Sequence, residues 1–144
     1  NRSKRSSSAE IFDKETPYKT RRKIEEIFES AKKHIIIGDN YIGRRTLDYL
    51  QVADTPVRIL TSTSKERGFD AALDDFKKEY PHTLDIQTAD GVFHGRFIII
   101  DNNKYYTLDH SIKDFGSKPS TIVEIVDTPV QEAFKKIIDD NWKS

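Results

Sequence analysis

Short apolar runs alternate with amphipathic stretches along the first half of this chain, and that alternation leaves few folds open. Tyr18 to Lys33 carries Ile24, Ile27, Phe28 and Ala31 at helical spacing with charges on the other face, which predicts a helix. His34-Ile35-Ile36-Ile37-Gly38 then reads as a buried strand, with Asp39-Asn40-Tyr41 at its C-terminal end. The pattern repeats: a helix over Ile42 to Val52 with Leu47, Leu50 and Val52 as its apolar side, then a strand Val57 to Leu60 closed by Thr61-Ser62-Thr63-Ser64. A third helix, Phe69 to Tyr80, uses Phe69, Ala72, Leu73 and Phe76 and stops at Pro81; a strand follows from Thr83 to Thr88.

The second half changes rhythm. Asp90-Gly91 marks a turn, Val92 to Ile100 a strand, Asn102-Asn103 another turn, and Lys104 to Leu108 an adjacent strand. Ser120 to Val126 alternates as a strand does, and Thr128-Pro129 opens a last helix, with Thr128 placed as N-cap, Pro129 at the first helical position, and Val130, Phe134, Ile137 and Ile138 on the apolar face. Helix and strand in alternation, followed by a hairpin, a strand and a helix, predict an α/β sandwich. There is no internal repeat.

The chain has 144 residues, enough for one domain with a real core, placed here at 18–144. Residues 1–17, with Arg2, Lys4, Arg5 and Ser6-Ser7-Ser8, read as a linker or tail; the basic cluster could touch a phosphate backbone, but a solvated linker is the plainer reading. Lys+Arg and Asp+Glu both number 24, so net charge does not mark a generally basic nucleic-acid binder. With no cysteine, disulfides and thiolate chemistry are excluded. No apolar run approaches the roughly 18 residues of a membrane span, and no leader pattern is visible, so a cytoplasmic setting is expected. The absence of any methionine, with Asn1 at the start, leads to the expectation that this is a fragment of a longer protein.

The chemistry concentrates in Phe93-His94-Gly95-Arg96-Phe97-Ile98-Ile99-Ile100-Asp101. In a strand, residues i and i+2 share a face, so His94 and Arg96 are expected to project together. A nucleophile beside a fixed cation is minimal equipment for handling phosphate; a solvated strand edge is the plain alternative. Asp101 falls on the other face and suits a structural role at the Asn102-Asn103 turn. His110 could be a second acid–base group or an exposed loop histidine, and Lys113-Asp114 a phosphate contact or a surface pair. Hydroxyls at Thr61-Ser62-Thr63-Ser64 stand at a strand end, where α/β proteins bind ligands, or simply cap a turn. His34, His82, His94 and His110 show no metal spacing, and the glycine patterns of nucleotide-binding loops are absent.

His94-x-Arg96-x4-Asp101 resembles the H-x-K-x4-D motif of the phospholipase D superfamily, with arginine for lysine. The stretch Ile35 to Tyr41 resembles that family's first core strand, and Ile122 to Trp142 the closing strand and helix of its small bacterial single-motif nucleases. His110 to Gly116 resembles a subgroup of bacterial and prophage C-terminal domains. The resemblance covers about Ile24 to Trp142. It implies a mixed β-sheet flanked by helices, and a metal-independent phosphodiesterase needing no cofactor, in which His94 attacks phosphorus to give a phosphohistidine. With a single motif present, it also implies a homodimer whose second His94 protonates the leaving group. The catalytic residues would be His94, Arg96 and Asp101, with Arg96, Ser111 and Lys113 holding phosphate.

Departures accompany the match. Where the family pattern has G-S-x-N, this chain has Leu108-Asp109-His110-Ser111. An ungapped reading puts Asp109 at the phosphate-holding serine, where a carboxylate would repel phosphate; a two-residue shift puts Ser111 there instead. The family's histidine-orienting carboxylate falls on Ser120, next to Thr121, with Glu124 an alternative nearby. Two readings follow. One is a nuclease-type phosphodiesterase, acting on nucleic acid rather than lipid. The other is a module that has lost turnover and binds a phosphate-bearing ligand or nucleic acid, or dimerises.

Overall fold

The structure is a computed structural model that describes residues 8–12, 17–80, 84–115, 117 and 119–143. Among these residues, seven strands form one mixed sheet: β1 (Ser8–Phe12), β2 (Ile35–Gly38), β3 (Val57–Thr61), β4 (Leu84–Thr88), β5 (Arg96–Ile100), β6 (Lys104–Leu108) and β7 (Ser120–Ile125). Four helices accompany them: α1 (Pro17–Glu29), α2 (Arg44–Leu50), α3 (Phe69–Glu79) and α4 (Thr128–Asn141). The sheet order is β1-β7-β6-β5-β2-β3-β4. It divides at the β2–β5 pair. On one side β2, β3 and β4 run parallel, joined through α2 and α3; on the other, β5, β6, β7 and β1 pair antiparallel.

The central strands are buried on both faces, which is why they read as continuous apolar runs. Their alternating residues enter two cores. Ile35, Ile37, Val57, Ile59, Ile98 and Ile100 pack under α1, α2 and α3 with Ile24, Phe28, Leu50 and Phe76. Ile36, Leu60, Phe97, Ile99 and Tyr105 face the other way, against Phe134, Ile138 and Trp142 at α4. The sheet is therefore sandwiched, with three helices on one face and one on the other.

Three local expectations are corrected. Within the stretch expected to be a tail, Ser8–Phe12 pairs antiparallel with β7 as an edge strand; Arg2, Lys4 and Arg5 lie outside the described residues. The last helix is capped by Asp127 and not Thr128: Asp127 Oδ1 accepts the Val130 N–H at 3.2 Å, and Thr128 and Pro129 occupy the first turn. Aspartate is the stronger cap because its carboxylate also favours the positive helix end. The strand expected from Val92 begins at Arg96. Its last neighbours are Gly38 on β2, opposite Phe97, and Leu108 on β6, opposite Arg96. Beyond them β2 turns away and β6 ends, so His94 has no ladder to join.

Gly38 carries a packing requirement. A Cβ there would sit 2.3–2.4 Å from the Phe97 ring, so the ring closes directly over the glycine. Gly38→Ala is expected to lower unfolding free energy by about 1–3 kcal/mol through overpacking, measured by urea denaturation. Gly95→Ala, where a Cβ meets nothing within 4 Å, is expected to change it by less than about 0.5 kcal/mol.

Candidate functional site

Because β5 and β7 run against β2, β3 and β4, one end of the sheet collects the C-terminal ends of β2, β3 and β6 and the starts of β5 and β7. Asp39, Tyr41, Ser62, Arg96, Asp109, Ser111 and Ser120 come to this end, while His34 and Asp101 lie at the other. His94 lies in the segment just before β5, exposed, with no hydrogen bond or ion pair among the described residues. That segment is anchored by Asn40, whose Nδ2 donates to the Phe93 carbonyl at 2.7 Å. Asn40 is held in turn by the Ser62 hydroxyl, which donates to its carbonyl at 2.6 Å. The Ser62 hydroxyl expected at the strand end thus braces the loop that carries His94.

Arg96 is the first residue of β5 and half-buried. Its guanidinium lies 5.8 Å from the centroid of the Tyr41 ring, within cation–π range, and its Nε is buried without a hydrogen-bond partner. A planar cation held against an aromatic face keeps its remaining N–H groups available to an anion.

Beneath it lies a residue that the sequence alone marks only as a strand-end aspartate. Asp39 is 0% exposed. Its Oδ1 accepts the Tyr41 N–H at 3.0 Å, and its Oδ2 accepts the Ile112 N–H at 2.9 Å and the Ser111 hydroxyl at 2.9 Å. Ser111 Oγ is also 3.0 Å from the Tyr41 carbonyl. A hydroxyl has one proton, so it makes both bonds in full only when Asp39 itself carries a proton and donates to Ser111. Burial pushes the Asp39 carboxyl above the usual carboxylate range, against the opposing pull of these donors and of the Arg96 charge. Asp39 thus ties β2, the Tyr41 segment and the Ser111–Ile112 turn into one unit beside Arg96. The available signal was its place immediately after an apolar strand, at the end where α/β sheets bind ligands.

The remaining expected residues divide. Ser111 is 2% exposed and committed to Asp39 and Tyr41. Lys113 pairs with Asp114 at 2.8 Å and packs beside Gly43 and Glu66 at the start of α2, so it reaches a phosphate only by leaving that pair. Asp109 points its carboxylate at the sheet: Oδ1 accepts the Thr121 N–H at 2.8 Å, linking the end of β6 to the start of β7. Ser120 is buried at the first position of β7. His82 lies outside the described residues. Among the described residues no group of three or more His, Asp or Glu side chains is placed to hold a metal ion.

Asp101 is at the opposite end of β5, in a left-handed conformation (φ 56°) that begins the turn into β6. Its carboxylate accepts the backbone N–H groups of Lys32, Lys33 and His34 at 2.7–3.1 Å. Five residues of strand, roughly 16 Å, separate it from Arg96, so it braces the α1–β2 connection and does not meet His94.

Likeness to solved structures shows that the chain has the phospholipase D-like fold. No family profile matches it, and no curated protein matches it significantly in sequence. Among solved structures it is similar to a phospholipase D family member, Nuc from Salmonella typhimurium (TM-score 0.67, 19% identity, 95% of each chain). It is also similar to NucT from Helicobacter pylori (TM-score 0.66, 12% identity, 94% of this chain and 95% of that one). TrmBL2, described as an archaeal chromatin protein with a novel mode of DNA binding, matches over 99% of this chain and 54% of its own (TM-score 0.61, 18% identity).

Desolvation works to raise the Asp101 pKa, but the three backbone donors and the neighbouring His34 outweigh it and hold the carboxyl below its usual range. A folded-state pKa below the unfolded value of about 3.9 contributes stability that is present above that pH and lost as pH falls through the folded value. Asp101→Asn is expected to cost about 1 kcal/mol at pH 7, with the gap to the natural chain closing below about pH 4. Chemical denaturation at a series of pH values reads both effects.

Proposed function

We propose that this domain is a nuclease-type phosphodiesterase of the phospholipase D kind. The observation that carries the reading is the position of His94: exposed, unpartnered among the described residues, and held by the Asn40–Phe93 anchor two residues before a half-buried Arg96. In this reading Arg96 grips a phosphodiester oxygen, and His94 attacks phosphorus to form a phosphohistidine. The P–O bond to the leaving group breaks as its oxygen takes a proton from His94 of a second copy. Water then attacks the phosphohistidine, giving up a proton to that second imidazole and freeing the first. Charge is met by the guanidinium, without a step that requires a metal. Asp39 acts as a positioning residue by fixing the Tyr41 face on which Arg96 rests. A nucleic-acid backbone is favoured as substrate, because a similar solved structure is that of an archaeal chromatin protein described as binding DNA.

One observation favours a second reading, a module that binds phosphate without turning it over. Ser111 is buried in the Asp39 network and Asp109 is bound to β7, so the phosphate-holding serine of the family motif has no free counterpart at either register.

Incubation with single- and double-stranded DNA, RNA and a chromogenic phosphodiester in EDTA separates the two. Cleavage is expected to survive EDTA and to fall by about 10³-fold or more in His94→Ala. Arg96→Ala is expected to weaken oligonucleotide binding by about tenfold or more, the cost of one charge-assisted hydrogen bond. Binding without cleavage in the natural chain would establish the second reading. The two-histidine mechanism also requires dimers: light scattering is expected to give twice the 16.7 kDa chain mass, and a strict monomer at high concentration rules that mechanism out.

A further inference from the structure

The other end of the sheet holds a second concentration of positive charge. A cavity of about 350 Å³ opens there, lined by Lys33, His34, Arg58, Asn102 and Lys135, with Ile36 and Pro56 as its apolar wall. Its residues come from the segment leading into β2, the start of β3, the β5–β6 turn and the middle of α4. It is a different place from the candidate site: His34 precedes Asp39 by five residues of extended chain, roughly 16 Å.

Its charge is unbalanced. Among the described residues no carboxylate lines the cavity. Lys33 and Arg58 have no ion pair among the described residues; Asp85 is opposite Arg58 in the β3–β4 ladder without closing a bridge within 4 Å. Lys135 is paired with Asp139 at 2.8 Å, both partners partly exposed, and the nearby Asp101 carboxylate is occupied by three backbone N–H groups. His34 Nδ1 is buried with no partner. The Arg58 guanidinium is braced 5.4 Å from the centroid of the Trp142 ring, which limits the rotamer freedom lost when it meets a ligand. A cleft lined by one sign of charge concentrates counter-ions, and a preset guanidinium suits the paired oxygens of phosphate.

We propose that this cavity is an anion site that takes one phosphate-bearing unit of nucleotide size, with phosphate between Arg58 and Lys33 and its sugar or base against Ile36 and Pro56. Cavities of this volume stand at the small end of the range for ligand sites. The same chemistry arises from a free nucleotide or from one residue of a nucleic-acid strand, and the site is independent of whether the His94 end catalyses.

The chain supplies its own reporter. Trp142 is its single tryptophan and lies against Arg58. Emission from Trp142 is followed while the intact protein is titrated, at low and moderate salt, with inorganic phosphate, a nucleoside 5′-monophosphate and a short single-stranded oligonucleotide. A saturable, salt-weakened change is expected. Saturation by the mononucleotide assigns a free nucleotide as ligand; saturation by the oligonucleotide alone assigns a strand backbone. Lys33→Gln, which leaves the Arg58–Trp142 contact in place, is expected to weaken the midpoint by about tenfold, and Arg58→Gln to do so by isothermal calorimetry even if it alters the emission itself. Arg96→Gln is expected to leave the Trp142 response to mononucleotide unchanged. No saturable change with any of the three titrants overturns the proposal, as does an unchanged midpoint in Lys33→Gln with native circular dichroism.

Discussion

The antiparallel pairing of β2 with β5 is the contact on which the rest of the molecule depends. It joins a parallel three-stranded half to an antiparallel half, and it sets Ile35, Ile36 and Ile37 against Ile100, Ile99 and Ile98 in a ladder whose side chains fill both cores. Because a slip of one residue would exchange the faces of every side chain, the register Gly38↔Phe97 is tightly specified. It also brings Asp39 to the same sheet end as Arg96. The packing of Phe97 over Gly38, a matter of core volume, thereby sets where the candidate chemistry is presented.

The two ends of this pair are used differently. At one end Asp101 is consumed by the fold, its lone pairs occupied by the N–H groups of Lys32, Lys33 and His34. At the other, His94 is left outside the ladder and Arg96 is placed at its margin. A motif that looks continuous in sequence is thus divided by the length of a strand. The same separation leaves the basic cavity at the Asp101 end with charges that the fold does not neutralise.

Much of the architecture was legible because burial on both faces forces continuous apolar runs and helices announce themselves by period. The positions of β2, β3, β6 and the three packed helices follow from Ile35–Ile37, Val57–Leu60, Tyr105–Leu108 and the apolar spacings in α1, α2 and α3. The edge strand β1 was not legible. An edge strand has one partner and a solvated flank, so its sequence need not be apolar, and Ser8-Ala9-Glu10 carries no strand signature of its own. Asp39 was missed as a network centre for a related reason: its partners, Ser111 and Ile112, lie more than 70 residues away, and no local pattern announces a contact of that range.

By itself the sequence determined the order of elements, the faces that must be buried and the residue types able to meet phosphate, since all three follow from composition over a few consecutive positions. The tertiary structure decided which of those residues share a place. Strand ladders end where their partners end, so only the folded chain releases His94 from β5, commits Ser111 to a buried carboxylate, turns Asp109 and Asp101 into backbone braces and gathers Lys33, Arg58 and Lys135 around one cavity. Burial and pairing are properties of the neighbours a residue acquires, and the neighbours here come from the far side of the chain.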